Sequence, residues 1–292
     1  MTGVNDYLVS VVIPTLNSER SIGRVIQSIL KNENINIEII VMDGGSEDNT
    51  KTIAESLGAI VIDCCTSLLK SRIIGVMKSR GKYIMMLDSD QVISDTCISD
   101  SIKKFQNGYD MLVLEEIPDI LENRVDEIWK REREAYMEKY ERFISPYNGF
   151  ILPRFFRREI LTRAVRNIPE EVQVIRHPDH QIIYYECYRI SSKVGLVSAA
   201  IFYRERNDLA DIVKTYYHHG KDASFLFLNG TYRSLIMSKF FLKGGSLTQN
   251  RKLLASWFLL FIRALPFVVG FSVTIIFGYK DTRRIKRKSA TI

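Results

Sequence analysis

From Val9 to Leu87 the chain alternates short β-branched apolar runs with stretches of helical apolar spacing, and no other feature limits its fold as strongly. The pattern predicts strands at Val9–Pro14, Ile37–Met42, Ala59–Ile62 and Tyr83–Leu87, and helices at Ser21–Leu30, Asn49–Leu57 and Leu68–Ser79. Strands that alternate with helices are typical of a parallel sheet covered by helices. We therefore expect an α/β fold: a doubly wound, mainly parallel sheet with helices on both faces.

Polar or glycine-rich loops follow three of these predicted strands: Pro14–Glu19, Asp43–Asp48 and Asp88–Gln91. In open α/β sheets, ligands bind beyond the carboxyl ends of the strands. The sequence therefore predicts a binding site that these three loops build together.

Asp88 and Asp90 place alternate carboxylates at that edge of the sheet. Carboxylate oxygens are the ligands that Mg²⁺ and Mn²⁺ prefer, and such ions also bridge substrate phosphates. A turn that caps a helix would explain the same residues if they stood alone. Asp43 precedes Gly44, where a short carboxylate is suited to a ribose or base edge and the glycine lets a ligand approach the backbone.

The formal net charge is +7, which favours an anionic partner. The C-terminus holds much of the excess, at Lys280, Arg283, Arg284, Lys286, Arg287 and Lys288. Because these residues directly follow an apolar segment, we expect lipid headgroups as the partner. Nucleic acid is not expected, since aromatic and basic residues do not interleave on a predicted strand platform.

The apolar segment runs from Leu253 to Tyr279 and is interrupted by Arg263 and Pro266. Its length suffices for a bilayer span. A charge near the bilayer centre is costly, however, and basic residues flank both ends of the segment. Two short interfacial helices, or a shallow hairpin broken at Pro266, are therefore preferred to a single span.

The four cysteines have no metal-ligand spacing, and the N-terminus does not resemble a secretion signal. The histidines His177, His180, His218 and His219 also lack the spacing of a zinc site. We expect reduced thiols, and a location at the cytoplasmic face of the cell membrane.

Several motifs of the chain resemble those of family 2 glycosyltransferases, which have the GT-A fold. Pro14–Glu19 is similar to the family's Pro-Thr-x-Asn-x-Glu loop, Asp43–Ser46 to its Asp-Gly-Gly-Ser turn, and Asp88–Asp90 to its Asp-x-Asp motif. Ser71–Gly75 stands where the family has Ala-Arg-Asn-x-Gly, without the Asn. The likeness covers roughly residues 8 to 222 and includes the Arg-Arg-Glu at Arg157–Glu159.

The resemblance implies roles for individual residues. The nucleotide pocket would be lined by Pro14, Thr15, Glu19, Asp43, Gly44, Arg72 and Asp88. A divalent cation would be held by Asp88 and Asp90, with Asp90 the more direct ligand. The general base would be Asp179. The acceptor or phosphate side would include Arg157, Arg158, His180 and Arg204.

The chain departs from the family pattern at two of these places. Asp179 follows Pro178 where a Glu-Asp pair is usual, and Arg204 stands where many members carry a metal-facing His. Arg204 is then suited to a phosphate instead.

By this resemblance, residues 1–222 form the catalytic domain and residues 223–292 a helical, apolar and basic membrane-associating region. The implied activity is inverting transfer of a sugar from a UDP- or GDP-linked donor to a lipid-linked acceptor. The acceptor group is either a glycan hydroxyl or a polyprenyl phosphate. A non-catalytic protein that binds nucleotide sugar or lipid is the alternative, and a nucleotidyltransferase is disfavoured because the loop after the first strand is not Gly-rich and basic.

Overall fold

The computed structural model describes residues 8–32, 34–118, 134, 144–147, 152–203, 209–238 and 254–278, with side chains in the last range from 261 onward. The described residues fall into two compact units. One unit comprises the described parts of Met1–Pro169 and Asp179–Glu205, and the other those of Glu170–Pro178 and Arg206–Ile292. The highly charged stretch Asp119–Phe143, for which the sequence predicts one long helix, lies outside the described residues, apart from Glu134.

The first unit is built on an eight-stranded sheet. Its strands are β1 Val9–Thr15, β2 Ile37–Asp43, β3 Ile60–Asp63, β4 Tyr83–Met86, β5 Gln91–Ile93, β6 Met111–Pro118, β7 Pro153–Arg157 and β8 Val194–Tyr203. The helices of this unit are α1 Ile22–Leu30, α2 Thr50–Ser56, α3 Leu68–Lys78, α4 Cys97–Gln106, α5 Arg158–Arg166 and α6 Asp179–Tyr188.

The strands lie in the order β3-β2-β1-β4-β7-β6-β8-β5. The first four are parallel to one another, as the sequence predicts. The second half of the sheet is mixed, because β7 runs antiparallel to both β4 and β6, and β5 runs antiparallel to β8. The N-terminal half is therefore parallel as expected, and among the described strands of the second half only β6 and β8 are parallel neighbours, so the whole is a mixed sheet.

Helices cover both faces of the sheet. Val11 and Ile13 of β1 belong to a buried cluster with the apolar face of α1, on which Ile22, Val25, Ile26 and Ile29 recur at helical spacing. Val12 faces the other way and meets α3 at Gly75, where an added Cβ would lie 2.4 Å from a Val12 methyl group. Because both faces are covered, β1 and β2 are almost continuously apolar, as buried parallel strands are.

The register brings the carboxyl ends of β1, β2 and β4 to one edge of the sheet. Thr15 pairs with Asp43, and Val12 pairs with Met86, so that Asp88 follows β4 at the same edge. The three polar loops that the sequence predicted to act together are therefore neighbours.

Two long helices dominate the second unit: α7 Leu209–Asn229 and α8 Leu254–Phe277. They pack closely at two glycines. A Cβ on Gly220 would lie 2.0 Å from the carbonyl oxygen of Phe267, and one on Gly270 would lie 2.0 Å from that of Tyr217. The backbones of α7 and α8 therefore approach each other more closely than any side chain would permit.

The expectation that Pro266 breaks the apolar segment is wrong, because α8 continues through Pro266 as one helix. Proline removes one backbone hydrogen bond and crowds the preceding turn. Packing of α8 on α7 along its length offsets that local cost. Among the described residues, no helix combines the length and apolarity that crossing a membrane requires.

The predicted domain boundary after residue 222 falls within α7. The assignment of catalysis to residues 1–222 and of membrane association to residues 223–292 stays a prediction.

We expect Gly270→Ala to destabilise the second unit. In an exposed helix, Ala is favoured over Gly by about 1 kcal/mol, whereas here the methyl group meets backbone and overpacking costs about 1–3 kcal/mol. Ser272→Ala, on the exposed side of the same helix, is the control and should leave stability unchanged or slightly raised. Thermal unfolding in mild detergent, followed by helical circular dichroism, measures both. A Gly270→Ala protein as stable as the control would contradict the close crossing.

Candidate functional site

The first two loops of the site are joined at the ends of β1 and β2. The Gly44 N–H donates to the Thr15 carbonyl at 2.8 Å, and the Thr15 hydroxyl donates to Asp43 Oδ1 at 3.3 Å. Pro14 is half-buried beside them. Thr15, Asp43 and Gly44 therefore lie together, as the sequence predicted.

The Asp43 side chain holds its own loop. It is fully buried, and its Oδ2 accepts hydrogen bonds from the N–H groups of Gly45 and Ser46 at 2.9 and 2.8 Å. Oδ1 accepts from the Ser46 hydroxyl at 2.5 Å. Gly45 is exposed and has a φ of 95°, a left-handed conformation that favours glycine. Asp43 thus shapes the turn, and its direct contact with a nucleotide stays a prediction.

Glu19 and Ser18 connect the first loop to the other two. Glu19 Oε2 accepts from the backbone and side-chain amides of Asn49, both at 3.1 Å. The Ser18 and Ser89 hydroxyl oxygens lie 2.9 Å apart. These bonds order the three loops as one edge of the sheet.

Arg72 joins Asp88, at this edge of the sheet, to the predicted general base Asp179. It lies in α3 with no exposed surface, and its Nε donates to Asp179 Oδ2 at 2.6 Å. Its Nη2 donates to Asp88 Oδ1, and its Nη1 to the Leu87 carbonyl at 3.4 Å. Asp179 begins α6 and is only 5% exposed. One guanidinium therefore fixes the spacing of two carboxylates that lie 91 positions apart in sequence.

Arg154, which the sequence analysis missed, is the second cation at Asp88. Its Nη1 lies 3.1 Å from Asp88 Oδ2 and 2.9 Å from His180 Nε2, and its Nε donates to Glu116 Oε1 at 2.6 Å. Gln91 links Glu116 to the Asp88 backbone through bonds of 3.3 and 3.0 Å. Arg154 alternates with buried Phe155 in β7, and that alternation was the signal available in the sequence.

The charges around Asp88 control its protonation. Burial alone would raise the pKa of Asp88, but the guanidinium groups of Arg154 and Arg72 hold this pKa well below its usual range. Asp88 is therefore ionised at neutral pH, although its side chain keeps 35% of its surface exposed.

His180 lies at the site, as predicted, and it is neutral. Burial, together with the positive charges of Arg72 and Arg154, lowers the pKa of His180. Because a guanidinium only donates, Nε2 accepts from Arg154 and the proton resides on Nδ1. The buried Nδ1 has no hydrogen-bond partner among the described residues.

The structure does not bring Arg157 and Arg158 to this site. Arg157 pairs with Tyr83 at the start of β4, whereas Asp88 follows the end of that strand. Its Nε lies 2.9 Å from Asp110 Oδ1 and donates to the Tyr109 carbonyl at 3.0 Å. Arg158 is exposed beside it. Arg204 lies outside the described residues.

The carboxylates suit a divalent cation that is shared with a substrate phosphate. Asp90 is half-buried at the same edge, whereas both Asp88 oxygens already face guanidinium groups. In the described ranges, no three His, Cys, Asp or Glu side chains cluster as a metal cage. Mg²⁺ commonly binds through one or two carboxylates plus phosphates and water, and this donor set fits that mode.

A family model described as glycosyl transferase family 2 matches residues 10–161, just over half of the 292 residues. The chain belongs to glycosyl transferase family 2. The match includes the three loops, Arg72, Asp88 and Arg154, and it ends before Asp179.

Curated relatives agree with this membership. Glycosyltransferase GlyG of Streptococcus pneumoniae is 29% identical over 108 residues, which are 34% of this chain and 35% of GlyG. The Escherichia coli enzyme WfgD, a UDP-Glc:α-D-GlcNAc-diphosphoundecaprenol β-1,3-glucosyltransferase, is 32% identical over 94 residues, 30% of this chain and 37% of WfgD. The match thus spans little more than a third of the length of either relative.

Solved structures share the fold. S. aureus TarS 1–349 in complex with UDP-GlcNAc superimposes with a TM-score of 0.55 at 15% identity, covering 97% of this chain and 91% of TarS 1–349. Glucosyl-3-phosphoglycerate synthase of Mycobacterium tuberculosis, solved with Mn²⁺, UDP and glucosyl-3-phosphoglycerate, gives 0.51 at 19% identity, covering 76% of this chain and 79% of the synthase. The GT-A-like architecture expected from the resemblance is therefore confirmed.

We expect His180 to weaken folding as the pH falls. Its pKa is about 6.5 in the unfolded chain and lower in the folded one, so below pH 6.5 the unfolded state binds more protons and the free energy of unfolding falls. His180→Gln should therefore lose less thermal stability than the wild type between pH 7.5 and pH 5.5.

Burial also lowers the pKa of His218, which acts in the same direction. His218→Gln and the double variant separate the two contributions. If His180→Gln loses as much stability as the wild type over this interval, the assignment of a neutral, buried His180 is wrong.

Proposed function

We propose that this family 2 chain transfers a sugar from a nucleoside diphosphate donor to a lipid-linked acceptor, with inversion at the anomeric carbon. The observation that carries the proposal is the pairing of Arg72 with both Asp88 and Asp179. The pairing holds one carboxylate at the edge that carries the three loops and a second, buried carboxylate close to it. Inverting transfer uses two groups with different tasks: one lies at the leaving diphosphate, and the other lies at the acceptor.

The donor is proposed to carry uridine diphosphate. The TarS and synthase structures were solved with UDP-GlcNAc and with UDP, respectively. A GDP-linked donor is the alternative that the sequence resemblance implies. The donor would lie along the loops after β1, β2 and β4, with the exposed Gly45 backbone open to it.

Asp90, together with Asp88, would hold a Mg²⁺ or Mn²⁺ ion that also binds the donor phosphates. Such an ion supplies positive charge where negative charge develops on the departing diphosphate. The chain's own contribution is to keep Asp88 ionised and fixed between Arg72 and Arg154. Those two guanidinium groups offset part of the negative charge of the carboxylates around them.

Asp179 is proposed as the general base. A base at this place takes the proton from an acceptor hydroxyl while the hydroxyl oxygen forms its bond to the anomeric carbon. The bond from that carbon to the diphosphate oxygen breaks on the opposite face, and the configuration inverts. The Arg72 guanidinium holds Asp179 as an oriented carboxylate, with one oxygen engaged at 2.6 Å. An acceptor that is already an ionised phosphate needs no such base.

The acceptor is proposed to be lipid-linked. WfgD acts on a diphosphoundecaprenol-linked sugar by its name, and its similarity supports this class of acceptor. The basic residues at 280–288 and the apolar α8 favour work at a membrane surface, at its cytoplasmic face. Residues 1–222 would carry the transfer and residues 223–292 the association with lipid.

The donor site is tested by thermal shift with UDP, GDP, CMP and dTDP, with and without Mn²⁺. A ligand that binds only the folded state adds about 2.7 kcal/mol at a hundredfold excess over its dissociation constant. We expect UDP to stabilise the wild type in the presence of Mn²⁺ and not to stabilise Asp90→Asn. Asp95→Asn, an exposed carboxylate outside the three loops, should respond as the wild type does. The donor assignment fails if no nucleotide shifts the wild type.

The role of Asp179 as general base is tested by measuring sugar transfer from UDP-sugars. The acceptors are an undecaprenyl-diphosphate-linked sugar and undecaprenyl phosphate. If the acceptor group is a hydroxyl, Asp179→Asn should lower kcat by about 10² to 10⁴-fold, the usual contribution of a general base. The UDP-induced thermal shift of this variant should persist, which separates loss of the base from loss of fold. Transfer to undecaprenyl phosphate that survives in Asp179→Asn would identify the phosphate as acceptor. Donor binding without transfer to either class would instead support the non-catalytic alternative.

A further inference from the structure

An uncharged apolar stripe runs along one side of α8. Apart from Phe277, the last residue of the helix, the exposed apolar side chains recur at spacings of three and four residues, so they share one face of the helix. Several are more than half exposed, including Phe261 at 62%, Val268 at 55% and Ile276 at 69%. We name as the α8 stripe the residues Phe261, Ala264, Leu265, Val268, Val269, Ser272, Ile275 and Ile276.

The opposite face of α8 is covered within its own unit. Gly270 lies against the α7 backbone, and the Phe271 and Phe227 rings lie 6.0 Å apart. Arg263, the charged side chain in the described part of α8, lies 5.9 Å from the Tyr216 ring centroid, toward α7. The α8 stripe therefore carries no charge, and α7 leaves it uncovered.

Two properties of the chain indicate what covers the stripe. A contiguous apolar face of this size on a soluble surface marks an interaction site. In the sequence, the helix is followed by six Lys or Arg residues and one Asp between positions 280 and 288. Basic clusters beside an apolar helix face are attracted to anionic lipid, and each basic residue near the surface adds to the affinity.

We propose that the α8 stripe lies in the headgroup region of an anionic bilayer, with α8 parallel to the membrane plane and with the basic residues that follow it in sequence adding to the affinity for anionic lipid. The one-sided exposure of the stripe favours this in-plane placement, because a helix in the interface buries one face only. This inference deepens the proposed function, since it names the surface that would bring a lipid-linked acceptor to the site. Its test does not depend on sugar transfer.

The test is flotation of the full-length chain with phosphatidylcholine vesicles, with and without phosphatidylglycerol. The test variant changes Leu265, Val268 and Ile276 to Ser. The control variant changes Leu30, Ile60 and Met77 to Ser, which are exposed apolar residues of the first unit at 50%, 43% and 43%. We expect the stripe variant to bind phosphatidylglycerol vesicles at least about tenfold more weakly, and the control to bind as the wild type does.

Circular dichroism and the UDP-induced thermal shift verify that both variants keep their fold. Failure of the donor proposal would remove the UDP response and leave vesicle binding intact, so the two failures are distinguishable. The inference is overturned if the stripe variant floats as well as the wild type, or if binding is equal without phosphatidylglycerol. It is also overturned if the stripe substitutions leave flotation intact and instead convert a dimer to a monomer, because the occupant is then a second copy of the chain.

Discussion

The guanidinium of Arg72 is fully buried, and the candidate site depends on the two carboxylates that pair with it. A buried charge without its partner destabilises the fold by several kcal/mol. Removal of one partner of a buried ion pair typically lowers the free energy of unfolding by about 3–5 kcal/mol. Asp88 and Asp179 are therefore held by the same requirement that keeps α3 folded against the sheet. Stability and site geometry have a common origin here, because the side chain that needs two anions also sets their separation.

Arg154 gives Asp88 a second cation and connects the parallel half of the sheet to the mixed half. It lies on β7, which is antiparallel to β4, and it reaches Glu116 on β6 as well as His180 on α6. The described network thus joins residues from five elements, α3, α6, β5, β6 and β7, around one carboxylate. His180 stays neutral inside this network because burial, together with the two neighbouring guanidinium groups, lowers its pKa.

The edge that carries the three polar loops was predictable from sequence, because parallel strands place their carboxyl ends together and the loops after β1, β2 and β4 are polar or Gly-rich. Arg154 was not predictable in the same way. The family's Arg-Arg-Glu motif directed attention to Arg157, yet a β-strand turns successive side chains to opposite faces and advances about 3.3 Å per residue. Arg154 therefore reaches the site, whereas Arg157, three positions later, lies beside the start of β4. The prediction of a break at Pro266 was wrong for a related reason. The backbone hydrogen bond that a proline removes is evident from the sequence, whereas the packing of α8 on α7 is not.

A crystal structure with UDP and Mn²⁺ is the most direct measurement, because it shows where the diphosphate binds relative to Arg72, Asp88 and Asp179. The diphosphate should lie at the loops after β1, β2 and β4, with the metal bound by Asp90 and with Arg72 still bridging Asp88 and Asp179. The Asp179 carboxylate should face the open side of the donor, where an acceptor would enter. A nucleotide bound elsewhere, or one whose binding separates Arg72 from Asp179, would contradict the central claim that this pairing builds a single transfer site.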